Sequence, residues 1–132
     1  MGDEAMNRDT IVLVVDDNEE LRGFIRHALA LADYTVLEAS DGEEALAALQ
    51  TCVRLDLVLC DVILPGIKGP ALLEKIRGIF PEVKVINMSG YFSEDVVSQE
   101  VEQTMTAGGV FLQKPFSTRQ LLETVHHMLE EK

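Results

Sequence analysis

The chain has 132 residues, 47% of them apolar and 26% charged, with a formal net charge of −12; these values fit one globular domain with a single sizeable core. So acidic a balance argues against binding a nucleic-acid backbone, which needs clustered Lys and Arg, and against anionic membranes. No apolar stretch approaches the roughly 18 residues that span a bilayer, and the acidic start lacks the basic region of a signal peptide.

Ile11-Val12-Leu13-Val14-Val15 is a continuous apolar run, the kind buried on both faces of a parallel sheet, and it stops at Asp16-Asp17. Asp17 or Asn18 can cap the helix that follows, where Leu21, Phe24, Ile25, Ala28 and Leu29 recur at helical spacing and predict one buried stripe. Thr35 to Ala39 is a short second strand whose polar ends suit a sheet edge. Ser40-Asp41-Gly42 opens a second helix through Ala45, Leu46 and Leu49. Leu57-Val58-Leu59-Cys60-Asp61 is a third strand, wholly apolar until its terminal acid.

After the loop from Pro65 to Pro70, a third helix carries Leu72, Leu73, Ile76 and Ile79. Val83 to Met88 is the fourth strand. The stretch from Glu94 to Thr106 reads as a fourth helix with a thin apolar stripe of Val97, Val101 and Met105, either a loosely held moving part or a plain surface helix. Val110 to Gln113 is the fifth strand, stopped by Lys114-Pro115, and the last helix starts at a Ser117 cap and buries Leu121, Leu122, Val125, Met128 and Leu129. Strands and helices alternating in this way imply an α/β domain, a parallel sheet between two helical layers. It spans 10–130, and residues 1–9 are expected to be flexible.

In a parallel sheet all strands end on one edge. Asp16 and Asp17 from the first strand, Asp61 from the third, Ser89 from the fourth and Lys114 from the fifth therefore meet there. Three close carboxylates repel one another unless a cation joins them. All-oxygen ligands suit Mg²⁺, which is usually held by one or two carboxylates together with phosphate oxygens. Lys114 adds a mobile point charge and Ser89 a hydroxyl donor, and an Asp in that company can attack phosphorus to give an aspartyl phosphate.

With these residues in place the chain resembles, over nearly its whole length, the receiver domain of two-component response regulators. The family pattern is an acidic pair after strand one, an acceptor Asp after strand three, Ser or Thr after strand four and Lys-Pro after strand five, matched here by Asp16-Asp17, Asp61, Ser89 and Lys114-Pro115. The resemblance implies a flavodoxin-like (βα)5 doubly wound parallel sheet of strand order 2-1-3-4-5 in a three-layer sandwich. It also implies a phosphoacceptor domain in phosphorelay signalling, which takes a phosphoryl group onto Asp61 from a histidine kinase or histidine phosphotransfer protein. The chain would then be no enzyme beyond catalysing its own phosphorylation and dephosphorylation.

Mg²⁺ or Mn²⁺ would be bound by Asp17, Asp61 and the Ile63 backbone carbonyl, with Asp16 acting through a coordinated water. Ser89 and Lys114 would contact phosphoryl oxygens, and Lys114-Pro115 would be cis. The family's switch pairs Ser89 with the aromatic Phe111, whose inward rotation would repack the face of the fourth helix, fifth strand and fifth helix for a downstream protein. The strings Met88-Ser89-Gly90-Tyr91 and Phe111 to Phe116 resemble receivers fused to hybrid sensor histidine kinases. A cytoplasmic domain without direct nucleic-acid or membrane contact, either standalone or part of a hybrid kinase, is the expectation. It would be a monomer or a phosphorylation-dependent dimer. Cys52 and Cys60 fit that reducing compartment, with Cys60 read as a small buried hydrophobe.

Other readings lose ground on specific residues. A haloacid-dehalogenase-type phosphatase needs a second Asp two positions after the nucleophile, where this chain has Ile63. A pseudo-receiver would lack one of the acids or the Lys. His126 and His127 are adjacent, so on a helix they diverge by about 100° and cannot share a metal, and His27 stands apart. The interval from Ser89 to Lys114 is longer than in many receivers, with Ala107-Gly108-Gly109 absorbing part of it.

Ile63 and Tyr91 occupy the two positions that flank the phosphoryl group in the family, and both are bulky. Restricted water access should make the phosphorylated form decay more slowly than in receivers with small polar residues there. Following the loss of the adduct by intact mass checks this, and equally fast decay would refute it.

Overall fold

A computed structural model of the chain describes residues 10–62, 66–67, 69–89 and 110–130. In order they form β1 (Ile11–Val15), α1 (Glu19–Leu31), β2 (Thr35–Ala39), α2 (Gly42–Leu49), β3 (Leu57–Asp61), α3 (Gly69–Ile79), β4 (Lys84–Ser89), β5 (Val110–Gln113) and α4 (Thr118–Glu130). The expected fourth helix, from Glu94 to Thr106, lies outside the described residues. The strands make one five-stranded sheet in the order β2-β1-β3-β4-β5, parallel at every pairing. That is the order the resemblance implied, with β2 at an edge.

Side chains on a strand alternate between its two faces, and here the alternation divides the core in two. Val12, Val14, Leu57, Leu59, Ile86 and Met88 face one way, and α1 and α4 cover them with Ile25, Ala28, Leu29, Leu121, Val125 and Met128. Leu13, Val15, Val58, Cys60, Val83 and Val85 face the other way, beneath Ala45 and Leu49 of α2 and Leu72, Leu73 and Ile76 of α3. Both faces of β1 and β3 are thus dry, which is why these strands read as unbroken apolar runs.

The helix starts follow their capping residues. The Asn18 side chain accepts from the Leu21 N–H at 3.0 Å, so of the two residues considered Asn18 is the cap. Asp41 accepts from the Glu44 N–H at 2.7 Å. Ser117 accepts from the Gln120 N–H at 3.1 Å, and Gln120 accepts in return from the Ser117 N–H at 2.8 Å, a reciprocal capping box.

Three local expectations shift. β4 starts and ends one residue later than the apolar pattern suggests. Val83 turns its N–H back to Phe80 O at 3.1 Å, and the ladder runs on to pair Ser89 with Gln113. Phe24, counted in the buried stripe of α1, is 38% exposed, with its ring 6.2 Å from that of Phe116. Ile79, counted in the buried stripe of α3, is 52% exposed. It ends that helix beside Val53 and Pro81 in an open groove of about 410 Å³ at the amino-terminal edge of the sheet. Helical periodicity marks a face, and it carries no information about whether a neighbour covers that face at the ends.

The end of α1 holds a local cost. Tyr34 N–H bonds to Leu29 O at 3.1 Å and Asp33 N–H to Ala30 O at 3.0 Å, the paired bonds of a Schellman turn. Its left-handed position is occupied by Asp33, at φ 70°, where glycine is the usual residue. Asp33→Gly should therefore raise stability by up to about 1 kcal/mol, read as a higher denaturation midpoint with an unchanged slope.

Candidate functional site

The carboxyl edge of the sheet collects the polar residues the sequence marked. Asp16 directly follows β1, Asp61 and Ser89 are the last residues of β3 and β4, and Lys114 directly follows β5. Lys114 reaches back across β4 to donate to Asp61 Oδ2 at 2.8 Å and to Asp16 Oδ2 at 2.6 Å. Asp17, exposed at the rim, completes the group: one carboxylate oxygen from each of Asp16, Asp17 and Asp61 lies within 4.8 Å of the other two.

Burial sharpens the electrostatics. Asp16 is wholly buried, and a buried carboxylate is tolerable only when its oxygens are partnered. Its Oδ1 accepts from the Asn18 N–H at 2.8 Å, and its Oδ2 takes the lysine. Burial by itself would favour neutral Lys114. The hydrogen bonds and charges of Asp16 and Asp61 outweigh it and hold the ammonium above its ordinary pKa. The lysine therefore stays charged, and it sets two acids side by side that would otherwise repel.

Backbone bonds fix the rest of the edge. Lys114 N–H bonds to Ser89 O at 2.7 Å, Val62 N–H to Met88 O at 2.9 Å and Asp16 N–H to Ala39 O at 3.1 Å. The Lys114-Pro115 peptide is cis. Ser89 is buried, and Phe111 is half-buried on β5 in register with Asn87. Ile63 and Tyr91, the two expected flanking residues, lie outside the described residues.

Cys60, next to Asp61, belongs to the opposite face. Burial first, and then the charges of Asp61 and Asp16, push its thiol far above the ordinary range, so it stays protonated and packs as a small hydrophobe. Cys52 and Cys60 are both free. His27, His126 and His127 are all exposed, with His126 3.5 Å from Glu130.

Sequence reasoning missed Arg22. Its Nη1 donates to the Asp16 carbonyl at 2.8 Å and its Nε to Glu38 at 3.3 Å. The available signal was an arginine one turn into α1, because helix side chains lean toward the amino-terminal end.

The donor set is all oxygen, from three acids, and a hard divalent cation fits it better than a soft metal. Among the described residues no helix is long and apolar enough to cross a membrane.

Residues 12–126 match the profile of the response regulator receiver domain. The chain is 40% identical over 93% of its length to the sensor kinase CckA of Brucella abortus, of which it spans 13%. It is 36% identical over 91% of its length to the protein CcdB of Bacillus subtilis, of which it spans 98%. Among solved structures, the chemotaxis response regulator CheY4 of Vibrio cholerae superposes with a TM-score of 0.77 at 31% identity, covering 91% of this chain and 98% of that one. Receiver domains bind Mg²⁺ through an acidic cluster and work with a histidine kinase and downstream effectors. The sequence, the sheet order and the edge that gathers acids around a lysine agree, and the chain belongs to the response regulator receiver domain family of two-component signalling.

Proposed function

We propose that Asp61 is the phosphoacceptor, taking its phosphoryl group from a phosphohistidine on a histidine kinase or histidine phosphotransfer protein. The observation that carries this reading is the convergence of Asp16, Asp17 and Asp61 on one sheet edge, with Lys114 bridging two of them. An Asp61 carboxylate oxygen attacks phosphorus, the bond from phosphorus to the imidazole nitrogen breaks, and the imidazole leaves with the electron pair. Asp16, Asp17 and Asp61, with the Ile63 carbonyl, would hold Mg²⁺ or Mn²⁺, which when bound neutralises charge on the transferring group.

The chain's own residues supply position. Lys114 holds Asp61 by Oδ2 at 2.8 Å, which orients the carboxylate before transfer, and afterwards its ammonium lies beside a phosphoryl oxygen. The Ser89 hydroxyl donates to a second oxygen, and Phe111 turns inward as Ser89 moves. A protein-binding face of the region between β4 and β5, β5 itself and α4 reads out that change. Identity to part of a sensor kinase supports the hybrid-kinase type, and two free thiols support a cytoplasmic setting.

Incubation with acetyl phosphate and Mg²⁺ should add one phosphoryl mass to the wild type and none to Asp61→Asn. An adduct that survives in Asp61→Asn, or none in the wild type, would overturn the assignment. Lys114→Met leaves Asp16 and Asp61 without their shared cation. It should cost about 3 kcal/mol in cation-free buffer, and Mg²⁺ should raise its melting temperature more than that of the wild type.

A further inference from the structure

Each polar atom of Asp16 has a partner. Its N–H bonds to Ala39 O at 3.1 Å, its carboxylate accepts from the Asn18 N–H at 2.8 Å and from Lys114 Nζ at 2.6 Å, and its carbonyl accepts from Arg22 Nη1 at 2.8 Å. Of these partners only Arg22 is a side chain from outside the polar set at the strand ends. Beside a carboxylate cluster its guanidinium engages the backbone of the acid rather than the carboxylate.

That carbonyl belongs to the peptide plane joining Asp16 to Asp17. The tilt of the plane sets the backbone angle at which Asp17 leaves the strand, and so where the Asp17 carboxylate points. Among the three acids Asp17 is the exposed one, so burial does least to fix its side chain. A donor that anchors the preceding carbonyl therefore restrains the direction in which Asp17, whose carboxylate lies within 4.8 Å of the other two, leaves the strand.

The guanidinium is itself held. Its Nε donates to Glu38 Oε1 at 3.3 Å, and Glu38 also takes Arg26 Nε at 3.2 Å. Glu38 stands on β2 in register with Val14 of β1, so the clamp ties the turn after β1 to the neighbouring strand. The Arg22 side chain is only 16% exposed, and its planar fork serves two acceptors at once, which a lysine ammonium on a flexible stem cannot do in the same fixed geometry.

We propose that Arg22, braced by Glu38, is a positioning residue for the acidic site, holding the Asp16–Asp17 peptide so that three carboxylates converge on one divalent cation. This rests on the reading of Asp16, Asp17 and Asp61 as the cation-binding group. Residues that orient metal ligands in this way typically change metal affinity by about 10–100-fold when replaced.

The test is Mn²⁺ titration of the full chain by calorimetry, with melting temperatures recorded in chelator. Arg22→Ala should weaken Mn²⁺ binding about tenfold, with smaller losses in Arg22→Lys and Glu38→Ala. Glu38→Ala, on the exposed edge strand, should keep a cation-free melting temperature close to wild type, so that its loss of affinity is separate from any loss of fold. Wild-type affinity in folded Arg22→Ala overturns the proposal. If that variant does not fold, wild-type affinity in both Arg22→Lys and Glu38→Ala overturns it. A wild-type chain that binds no Mn²⁺ overturns the cation reading beneath it, and the proposal falls with it.

Discussion

Two carboxylates drawn together in a partly dry site repel strongly, because a low local dielectric magnifies the Coulomb term that water would screen. The arrangement of Asp16 and Asp61 is possible because one ammonium, Lys114, lies 2.6 and 2.8 Å from them. Its pairing fixes what the surrounding fold must provide. The lysine has to arrive from a strand on the same sheet, at the same edge, and within reach of a stem four carbons long. A parallel sheet in which β1 and β3 are adjacent and β5 lies two strands from β3 meets all three conditions. An antiparallel sheet would send alternate strand ends to the opposite edge.

Rigidity at that edge comes from the two-sided core. The two strands that deliver Asp16 and Asp61, β1 and β3, are dry on both faces, so the ladder cannot slip by one residue without sending its whole apolar set to the wrong helical layer. Asp61 is itself paired in the ladder opposite Met88, and the Val62 N–H closes the register one step further on. A carboxylate placed in this way owes its position to strand pairing rather than to a loop. The open groove at the other edge, lined in part by Val53, Ile79 and Pro81, carries charges of its own, with Arg54 paired to Asp56 at 3.1 Å.

What the sequence revealed, and what it hid, follows from the range of the forces involved. Apolar runs such as Ile11 to Val15, and caps such as Asn18, Asp41 and Ser117, act within a few residues, so their elements could be read directly. The acids at strand ends were legible because a charge closing an apolar run has few structural explanations. Lys114 was legible as a strand-end residue, but its bond to Asp16 was not, since it joins residues 98 apart. Arg22 gave only a weak signal, its place one turn into α1: on a helix with Glu19 and Glu20 before it, an arginine looks like an ordinary solvated charge. Phe24 and Ile79 were misplaced for a related reason, because a stripe has a direction but its neighbours are set by distant chain.

The alternation of β3 also decides between two neighbouring nucleophiles. Cys60 and Asp61 are consecutive, so their side chains leave opposite faces of the strand. Cys60 is directed into the layer formed with Leu72 and Ile76, where burial and the nearby acids keep sulfur protonated and unreactive. Asp61 meets the rim, with Lys114 to orient it and partial access to solvent. A thiolate would be the stronger nucleophile in water, yet the pleat removes it from contention without any dedicated residue. Burial does most to keep the thiol protonated, and Asp61 and Asp16, two of the three clustered acids, add to it, so the charge concentrated at this edge also disfavours the competing thiolate beside it.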